Sequence, residues 1–387
     1  MTANILAIPE TGFPFPRSEY EHRQERVLAA IDRARLDALV VTAHGHLRYL
    51  TGYNGNGGYF APFPLIMVPG QRPTYVVREF EISTVQAEGC IDEIVTYSQQ
   101  KDAATVCADV LRRYGLQGRN VGFELGCWNL SPADMNAVQS QLPDMKVADA
   151  TRLVASVSAV KSPLEIEAMR GSMALTDIAI RTFHSSLREG VTEAEVSMKI
   201  QMELYKAGGA IYEALPTLVF GDRTKLAHGS PTRNKLRQND PALMETGAVK
   251  HGYVAGLART AVLGRNPETE SLHSLAEKAL EAAIEVMKPG VTAGAVDAAA
   301  RKVIERSGRP KVFRHRTGYQ TGIHWSERGN LSLEPGATDV LELGMIFHMP
   351  ILLFGESGRI CGCSEQVVVG EGGAEILSQT PHTLYRA

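Results

Sequence analysis

The pattern of apolar and polar residues predicts short alternating strands and helices in the first part of the chain. Val27, Leu28, Ile31 and Ala34 recur at helical spacing and predict an amphipathic helix over residues 19–34. Apolar runs predict strands at 39–41, 65–68, 75–77 and 121–124, with helices near 81–89 and 102–114. Strands that alternate with helices indicate a three-layered, mixed α/β domain, which we expect to cover residues 1–157.

A helix start marks the beginning of a second domain. Ser162 suits an N-cap, Pro163 the first helical position and Glu165 the third, which together form a capping box. The helix that they open is expected to continue to about residue 186. Further helices are predicted at 193–207, 269–287 and 293–307, and strands at 241–246, 252–262, 345–349 and 365–369. We therefore expect a larger domain over residues 158–387.

Composition narrows the class of protein. The chain has 387 residues, of which 44% are hydrophobic and 21% charged, as in a globular protein too long for one core. A net charge of −3 gives no reason to expect nucleic acid or an anionic membrane as a partner. The sequence contains five scattered cysteines, no leader-like N-terminus and no apolar run of membrane-spanning length. These features predict a soluble, cytoplasmic protein.

Six segments of the second domain resemble, in order and spacing, the pita-bread family of methionine aminopeptidases, prolidases, aminopeptidase P and creatinase. They are residues 226–231, 244–248, 252–260, 316–322, 344–350 and 363–369. The first domain is similar to the smaller domain of prolidases and creatinases. The resemblance implies an α+β fold with a C-terminal pita-bread domain that follows a smaller mixed α/β domain.

The resemblance also implies where metal ligands would lie. The metallopeptidases of the family hold two divalent ions through two aspartates, a histidine and two glutamates. In this sequence those positions carry Glu245, Gly256, Tyr319, His348 and Glu365. Glycine offers no ligand, neutral tyrosine is a poor one, and two-metal activation of water needs a carboxylate that bridges the ions. We therefore expect neither a metal nor another cofactor.

A metal-free branch of the family suggests the remaining chemistry. Creatinase hydrolyses the guanidinium of creatine without a metal, but it has glutamates where this sequence has Ala258 and His348. The ectoine hydrolases, which open a cyclic amidine to an N-acetylated diamino acid, are more similar. The shared features are Phe347-His348, Glu245 before Thr246-Gly247-Ala248, the 257–260 segment, Trp325-Ser326-Glu327, Tyr53 and Arg78.

The charges of these residues suggest catalytic roles. Glu245 and Glu365 would face a cationic amidine, and Glu245 would attack its carbon or activate water. His228 would transfer a proton to the leaving nitrogen, and His348 would form a hydrogen bond to the intermediate. The structural alternatives are a buried salt bridge for the two glutamates and a satisfied core position for His348.

A second group of residues is predicted to bind a small zwitterionic substrate. It comprises Tyr319, Arg259, Trp325, Tyr53, Arg78 and Glu327. Tyr319 would be a neutral hydrogen-bond donor, or would fill the space of the lost metals. The substrate carboxylate calls for an arginine, for which Arg259, Arg78 and Arg316 are candidates. Arg259 has the alternative of pairing with a neighbouring carboxylate.

The leading hypothesis is a metal-independent amidine hydrolase. The alternatives are a creatinase-like guanidine hydrolase, an Xaa-Pro peptidase with a degenerate metal site, and a binding protein without catalysis. The resemblance to creatinase further implies a homodimer in which the first domain of one subunit closes the active site of the other. We expect the glycine-rich loop at 52–58 to form part of that closure.

Overall fold

The computed structural model describes residues 14–54, 62–212, 216–323, 325 and 329–387. Glu327 and residues 55–58 of the glycine-rich loop, both singled out above, lie outside the described residues. The chain divides into two compact units. The first covers the described residues up to Ser158 and the segment around Asn330, and the second covers the rest of the described chain from Ala159 onward.

In the part of the first unit that the structure describes, the strands form a six-stranded mixed sheet. Its strands are β1 (Ala38–Val41), β2 (Leu65–Met67), β3 (Thr74–Arg78), β4 (Glu93–Tyr97), β5 (Asn120–Phe123) and β6 (Lys146–Asp149). Its helices are α1 (Arg17–Arg33), α2 (His44–Thr51), α3 (Ile82–Glu88), α4 (Ala103–Arg113), α5 (Pro132–Gln141) and α6 (Thr151–Ala159), with a 3-10 turn at Glu79–Glu81. The strand order is β4-β3-β2-β1-β5-β6, and β1 pairs antiparallel with β2 but parallel with β5.

Over its described residues, the second unit contains four long helices and a ten-stranded sheet. The helices are α7 (Pro163–Ser186), α8 (Glu193–Lys206), α9 (Pro267–Val286) and α10 (Ala293–Arg306), with 3-10 turns at Gly221–Lys225 and Pro310–Val312. The strands are β7 (Ala210–Ile211), β8 (Thr217–Phe220), β9 (Pro241–Lys250), β10 (Tyr253–Val262), β11 (Gly318–Gln320), β12 (Ser332–Leu333), β13 (Ile346–Phe354), β14 (Ile360–Gly370), β15 (Gly373–Ile376) and β16 (Tyr385–Arg386). The main path through the sheet is β12-β11-β13-β14-β10-β9-β7.

The start of α7 confirms the capping box. Ser162 is the N-cap and accepts from the Glu165 amide, while the Glu165 carboxylate accepts from the Ser162 amide. The other Glu165 oxygen accepts from the Tyr253 hydroxyl on β10 at 2.7 Å. Further along α7, the hydroxyls of Ser172 and Thr176 donate to backbone carbonyls of β10. Glu165, predicted only to start the helix, therefore also fixes it to the sheet.

The two faces of β13 and β14 have different environments. Phe347 and Met349 on β13, with Cys363 and Val367 on β14, join the apolar side chains of α9 and α10 in one buried core. Because side chains alternate along a strand, the residues between them face the opposite side. No helix within the described ranges is long and apolar enough to cross a membrane.

Candidate active site

A cavity of about 240 Å³ opens in the second unit, at the face of the sheet opposite that core. Residues from several strands and their connecting loops form its wall. They are Ile211, Tyr212, Pro216, Thr217, His228, Glu245, Thr246, Gly247, Tyr319 and Trp325. Three aromatic rings, one carboxylate and one histidine are therefore brought together by segments more than 100 residues apart in sequence.

The β9–β10 hairpin places the carboxylate. Glu245 pairs with Ala258, and two positions further along the strands Gly247 pairs with Gly256, so these four positions share one face. Glu245 is half-buried in the cavity wall, where Gly247 also lies. The small residues on this face make room for the Trp325 ring, which lies over Gly247 and Gly256 beside Glu245.

His228 reaches the cavity from a tightly held loop. Its backbone adopts the left-handed conformation, with φ of 56°, which is unusual for a residue other than glycine. The loop is fixed by the fully buried Glu193, whose carboxylate accepts from the Phe220 and Thr232 amides at 2.9 and 2.8 Å and from the Arg223 guanidinium at 3.0 Å. The position of His228 thus depends on the buried Glu193 carboxylate.

A chain of hydrogen bonds links the cavity wall to the interior of the sheet. The Trp325 indole N–H donates to the Tyr319 hydroxyl at 2.6 Å, and that hydroxyl lies 3.0 Å from His348 Nδ1. His348 Nε2 lies 2.8 Å from the Ser364 hydroxyl oxygen, which accepts from the Ala258 amide at 2.6 Å. Burial, together with the positive charges of Arg259 and Arg316, lowers the pKa of His348 to about 3. The imidazole is therefore neutral at physiological pH.

The partners of Ser364 select the tautomer of His348. The Ser364 oxygen already accepts from Ala258, and its own proton has His348 Nε2 as its acceptor. A neutral imidazole whose Nε2 accepts carries its proton on Nδ1, from which it donates to Tyr319. The Tyr319 oxygen then accepts from both Trp325 and His348. Tyr319 also lines the cavity, so its hydroxyl joins the cavity to this hydrogen-bond chain.

Glu365 does not share the cavity face with Glu245, in contrast to the expectation from sequence. It pairs with Met349, on the side that packs against α9, whereas His348 and Ser364 occupy the other side. Its carboxylate accepts from the Arg259 guanidinium at 2.9 Å, from the Ser378 hydroxyl at 2.5 Å and from His382 at 3.1 Å. Neighbouring residues of a strand point to opposite faces of the sheet. Ser364, one residue before Glu365, therefore points to the cavity side, where it contacts His348.

Arg259 takes the structural alternative considered for it. Its side chain is fully buried, and besides Glu365 it donates to four backbone carbonyls, including those of Thr380 and Pro381. With every donor direction occupied, it has no group left for a substrate carboxylate. Arg259 and Glu365 are instead a buried ion pair that holds the C-terminal segment against β10 and β14.

Comparisons with known proteins give the family to which the chain belongs. Residues 167–376 match the family model described as metallopeptidase family M24, and residues 23–160 match the creatinase/prolidase N-terminal domain. The chain belongs to the metallopeptidase family M24. The α+β fold prediction is thereby confirmed, with its C-terminal pita-bread domain and smaller N-terminal domain. The chain is a hydrolase of the M24 family.

Individual relatives differ in the activity that their names give. An uncharacterized hydrolase/peptidase of Sinorhizobium fredii is 30% identical, over 96% of this chain and 97% of its own. The ectoine hydrolase of Halomonas elongata is 27% identical, over 97% and 99% of the two chains. The crystal structure of the dipeptidase PepE from Mycobacterium ulcerans superposes with a TM-score of 0.84 at 25% identity, covering 96% and 99%.

The donor groups of this M24 protein do not fit a pair of divalent ions. On the cavity face, Gly256 carries no ligand and both nitrogens of His348 are engaged by Tyr319 and Ser364. Among the described residues, no cluster of three or more histidine, cysteine, aspartate or glutamate side chains is arranged to hold a metal. Glu245 alone does not supply the several carboxylate oxygens that a hard dinuclear site prefers.

The other predicted binding residues are distributed over both units. Tyr53 and Arg78 belong to the first unit, where Tyr53 stacks on Phe63 and Arg78 lies over the Phe80 ring. Arg316 belongs to the second unit and places its guanidinium 4.2 Å from the centroid of the Tyr319 ring. It also donates to the Ser332 hydroxyl at 2.6 Å.

Sequence reasoning missed two residues of this M24 site. Ser364 was overlooked because Glu365, one residue away, has the more reactive side chain. The apolar residues Cys361, Cys363, Val367 and Val369 alternate along the strand in step with Glu365, and this alternation is the signal that could have assigned Glu365 to the core face. Tyr212 gave no such signal, because it follows the two-residue strand β7. It lies in the cavity wall only because β7 pairs with β9 in the folded sheet.

Proposed function

We propose that this M24 protein opens a cyclic amidine such as ectoine by hydrolysis of a carbon–nitrogen bond, without a metal ion. The observation that carries the proposal is the cavity wall itself, in which Glu245, His228 and the Tyr319 hydroxyl meet aromatic rings. A peptide carbonyl is a poor electrophile and profits from a Lewis acid, whereas an amidinium carbon already carries positive charge. A site with a carboxylate and hydrogen-bond donors therefore suits an amidinium carbon better than a peptide carbonyl.

The proposed reaction adds one water to the amidine. Glu245 takes a proton from the water as its oxygen attacks the amidinium carbon, which gives a tetrahedral adduct. His228 then donates a proton to the ring nitrogen, the carbon–nitrogen bond breaks, and the products are an amine and an N-acetyl group on the same molecule. Direct attack by the Glu245 carboxylate, followed by hydrolysis of the acyl intermediate, has the same overall balance.

Tyr319 and His348 have separate parts in this scheme. Tyr319 donates a hydrogen bond to the adduct, because its hydroxyl lies in the cavity wall with Glu245 and His228. His348 is a positioning residue, since its two nitrogens hold Tyr319 and Ser364. For the carboxylate of a zwitterionic substrate we favour Arg316, which contacts the cavity residue Tyr319, over Arg259, which is fully engaged in the core.

The second candidate is peptide hydrolysis, which the similarity to the PepE dipeptidase favours. It requires the metal ligands that Gly256 and the occupied His348 do not provide. The two candidates therefore differ in both substrate and metal dependence.

One experiment separates them. Purified protein is treated with a chelator, checked by elemental analysis, and incubated with ectoine, hydroxyectoine, creatine and Xaa-Pro dipeptides, with product masses as the readout. We expect a product 18 Da heavier than ectoine, formed at an unchanged rate after chelation, because hydrolysis adds one water. Dipeptide cleavage that is lost on chelation and restored by manganese, cobalt or zinc would contradict the proposal, as would failure to open any amidine or guanidine.

A further inference from the structure

Two glycines lie opposite each other within the β9–β10 hairpin, two residues along the strands from the Glu245 pair. Gly247 on β9 pairs directly with Gly256 on β10, and neither has a positive φ that would require glycine. Paired glycines weaken a strand interior, and glycine within a strand often marks the close approach of another group. The group that approaches here is the Trp325 indole.

The Trp325 ring occupies the space of both missing side chains. A Cβ on Gly247 would lie 2.4 Å from Trp325 Cζ3, and a Cβ on Gly256 would lie 2.4 Å from both Cη2 and Cζ2. Contacts this short do not occur between a real Cβ and a ring atom, so the ring and a side chain at either position exclude each other. We call Gly247, Gly256 and the ring that covers them the Trp325 seat.

Neighbouring groups fix the ring in the seat. The indole N–H donates to Tyr319 at 2.6 Å, and the ring meets His348 edge-on, with centroids 5.3 Å apart. The Tyr212 ring lies 6.4 Å from the Trp325 ring, centroid to centroid, and is tilted by 44° to it, so the two rings are not stacked against each other. Trp325, Tyr212 and Tyr319 all line the cavity together with Glu245.

We propose that the Trp325 seat determines the substrate class of this site, which is a small organic cation bound between aromatic rings and the Glu245 carboxylate. Aromatic rings attract a cation through their negative faces, tryptophan most strongly, and a nearby carboxylate adds a direct charge partner. The inference deepens the proposed function, since it concerns the same cavity, but it requires only binding and no turnover.

The charge selectivity of the seat is tested by fluorescence. The chain has two tryptophans, and Trp128→Phe, at a position that is 80% exposed in the first unit, leaves Trp325 as the single emitter. Acetamidinium and acetamide are the probes, because they share a shape and differ in charge. We expect acetamidinium to change the emission saturably, with an apparent Kd at least about 10-fold lower than that of acetamide. Equal responses to the two probes, or no response to acetamidinium and ectoine, would overturn the proposal. Should Trp128→Phe be unstable, difference spectra between wild type and Trp325→Phe give the same measurement.

The seat itself is tested by a double-mutant cycle. Gly256→Ala should lower the midpoint of thermal unfolding, whereas the control Gly372→Ala, where a Cβ would meet nothing within 4 Å, should not. In a Trp325→Ala background, Gly256→Ala should cost little more, because its clashing partner is gone. Additive effects of the two substitutions would show that Trp325 is not seated on Gly256, and would refute the inference.

The inference and the proposed function fail in different ways. If ectoine is not opened but acetamidinium still perturbs Trp325, the reaction assignment fails and the cation site stands. If ectoine is opened and Trp325→Leu leaves KM and kcat unchanged, the cation site fails and the reaction assignment stands.

Discussion

A pair of glutamate-to-glutamine substitutions distinguishes the carboxylate of the cavity from the carboxylate of the core. Glu245 lines the cavity, whereas Glu365 is 1% exposed and bound to Arg259, Ser378 and His382. Both substitutions keep the shape of the side chain and remove its charge. We expect Glu245→Gln to abolish turnover with little change in stability, and Glu365→Gln to lower stability while kcat is largely retained.

The expected loss of stability follows from what Glu365→Gln leaves behind. Arg259 is fully buried, and without the carboxylate its charge is met only by backbone carbonyls. Removing one partner of a buried ion pair typically costs about 3–5 kcal/mol, and because glutamine still accepts a hydrogen bond we place the loss at the lower end, about 3 kcal/mol. For a unit of this size, that corresponds to a fall of roughly 6–12 °C in Tm.

The assay combines thermal unfolding with steady-state kinetics on ectoine, or on whichever amidine proves to be the substrate. Glu245→Gln should lower kcat by at least about 10³-fold, within the range that general acid–base groups contribute, and shift Tm by no more than a few degrees. The reverse outcome, with kcat lost in Glu365→Gln at unchanged Tm, would refute the assignment of Glu365 to the core. Near-normal rates in Glu245→Gln would require His228 or another cavity group to carry the central step.

Further substitutions test the groups around the cavity. Tyr319→Phe keeps the ring but removes the hydroxyl shared by Trp325 and His348, and steady-state kinetics should show kcat reduced by about 10²-fold with a smaller change in KM. Glu193→Gln weakens the support of the His228 loop, so kcat/KM should fall together with Tm; an unchanged kcat/KM would show that the loop holds its shape without that charge. The lowered pKa of His348, about 3, means that the unfolded chain binds a proton that the folded protein does not between pH 6.5 and 3. The free energy of unfolding should therefore decrease as the pH falls through that window, and between pH 6.5 and 5 His348→Gln should remove about 2 kcal/mol of this dependence in denaturant titrations. The homodimer stays a proposal, for which light scattering is the test, and a fully active monomer would contradict it.

Regular elements with strong local signals were predictable from the sequence. The capping box of Ser162 and Glu165 located the start of α7, and helical spacing located α1. The short elements β4, β6, α2 and α5 were not predicted, because runs of four to ten residues carry weak periodicity and depend on tertiary packing. The predicted strand at 365–369 proved to be part of β14, Ile360–Gly370, which begins five residues earlier.

The candidate site was predictable as far as it depends on residue type, and not where it depends on the face of a strand. Glu245, His228, Tyr319 and Trp325 were all named from the sequence and all line one cavity. The prediction that Glu365 faces the substrate was wrong because matching a motif tolerates a displacement of one residue. In a strand, the same displacement moves a side chain from one face of the sheet to the other. Ser364, which has no strong chemical signal of its own, instead completes the hydrogen-bond chain through His348.

The proposed organic-cation site is connected with the absence of a carboxylate at Gly256. At Gly256 a carboxylate and the Trp325 ring compete for the same volume, so the site holds one or the other. With the ring in place, Tyr319 becomes the acceptor of the indole N–H, and His348 and Ser364 take up the hydrogen bonds that follow.

Restoring aspartate at Gly256 alone should therefore not create a metal site, because Trp325 would still fill the space and His348 would still be engaged. An attempt to rebuild metal binding must first remove Trp325, and manganese affinity measured by calorimetry should remain undetectable in Gly256→Asp with Trp325 intact. Metal binding by that single variant would show that the ring yields its position easily, and that the glycines are not the reason for the difference in chemistry.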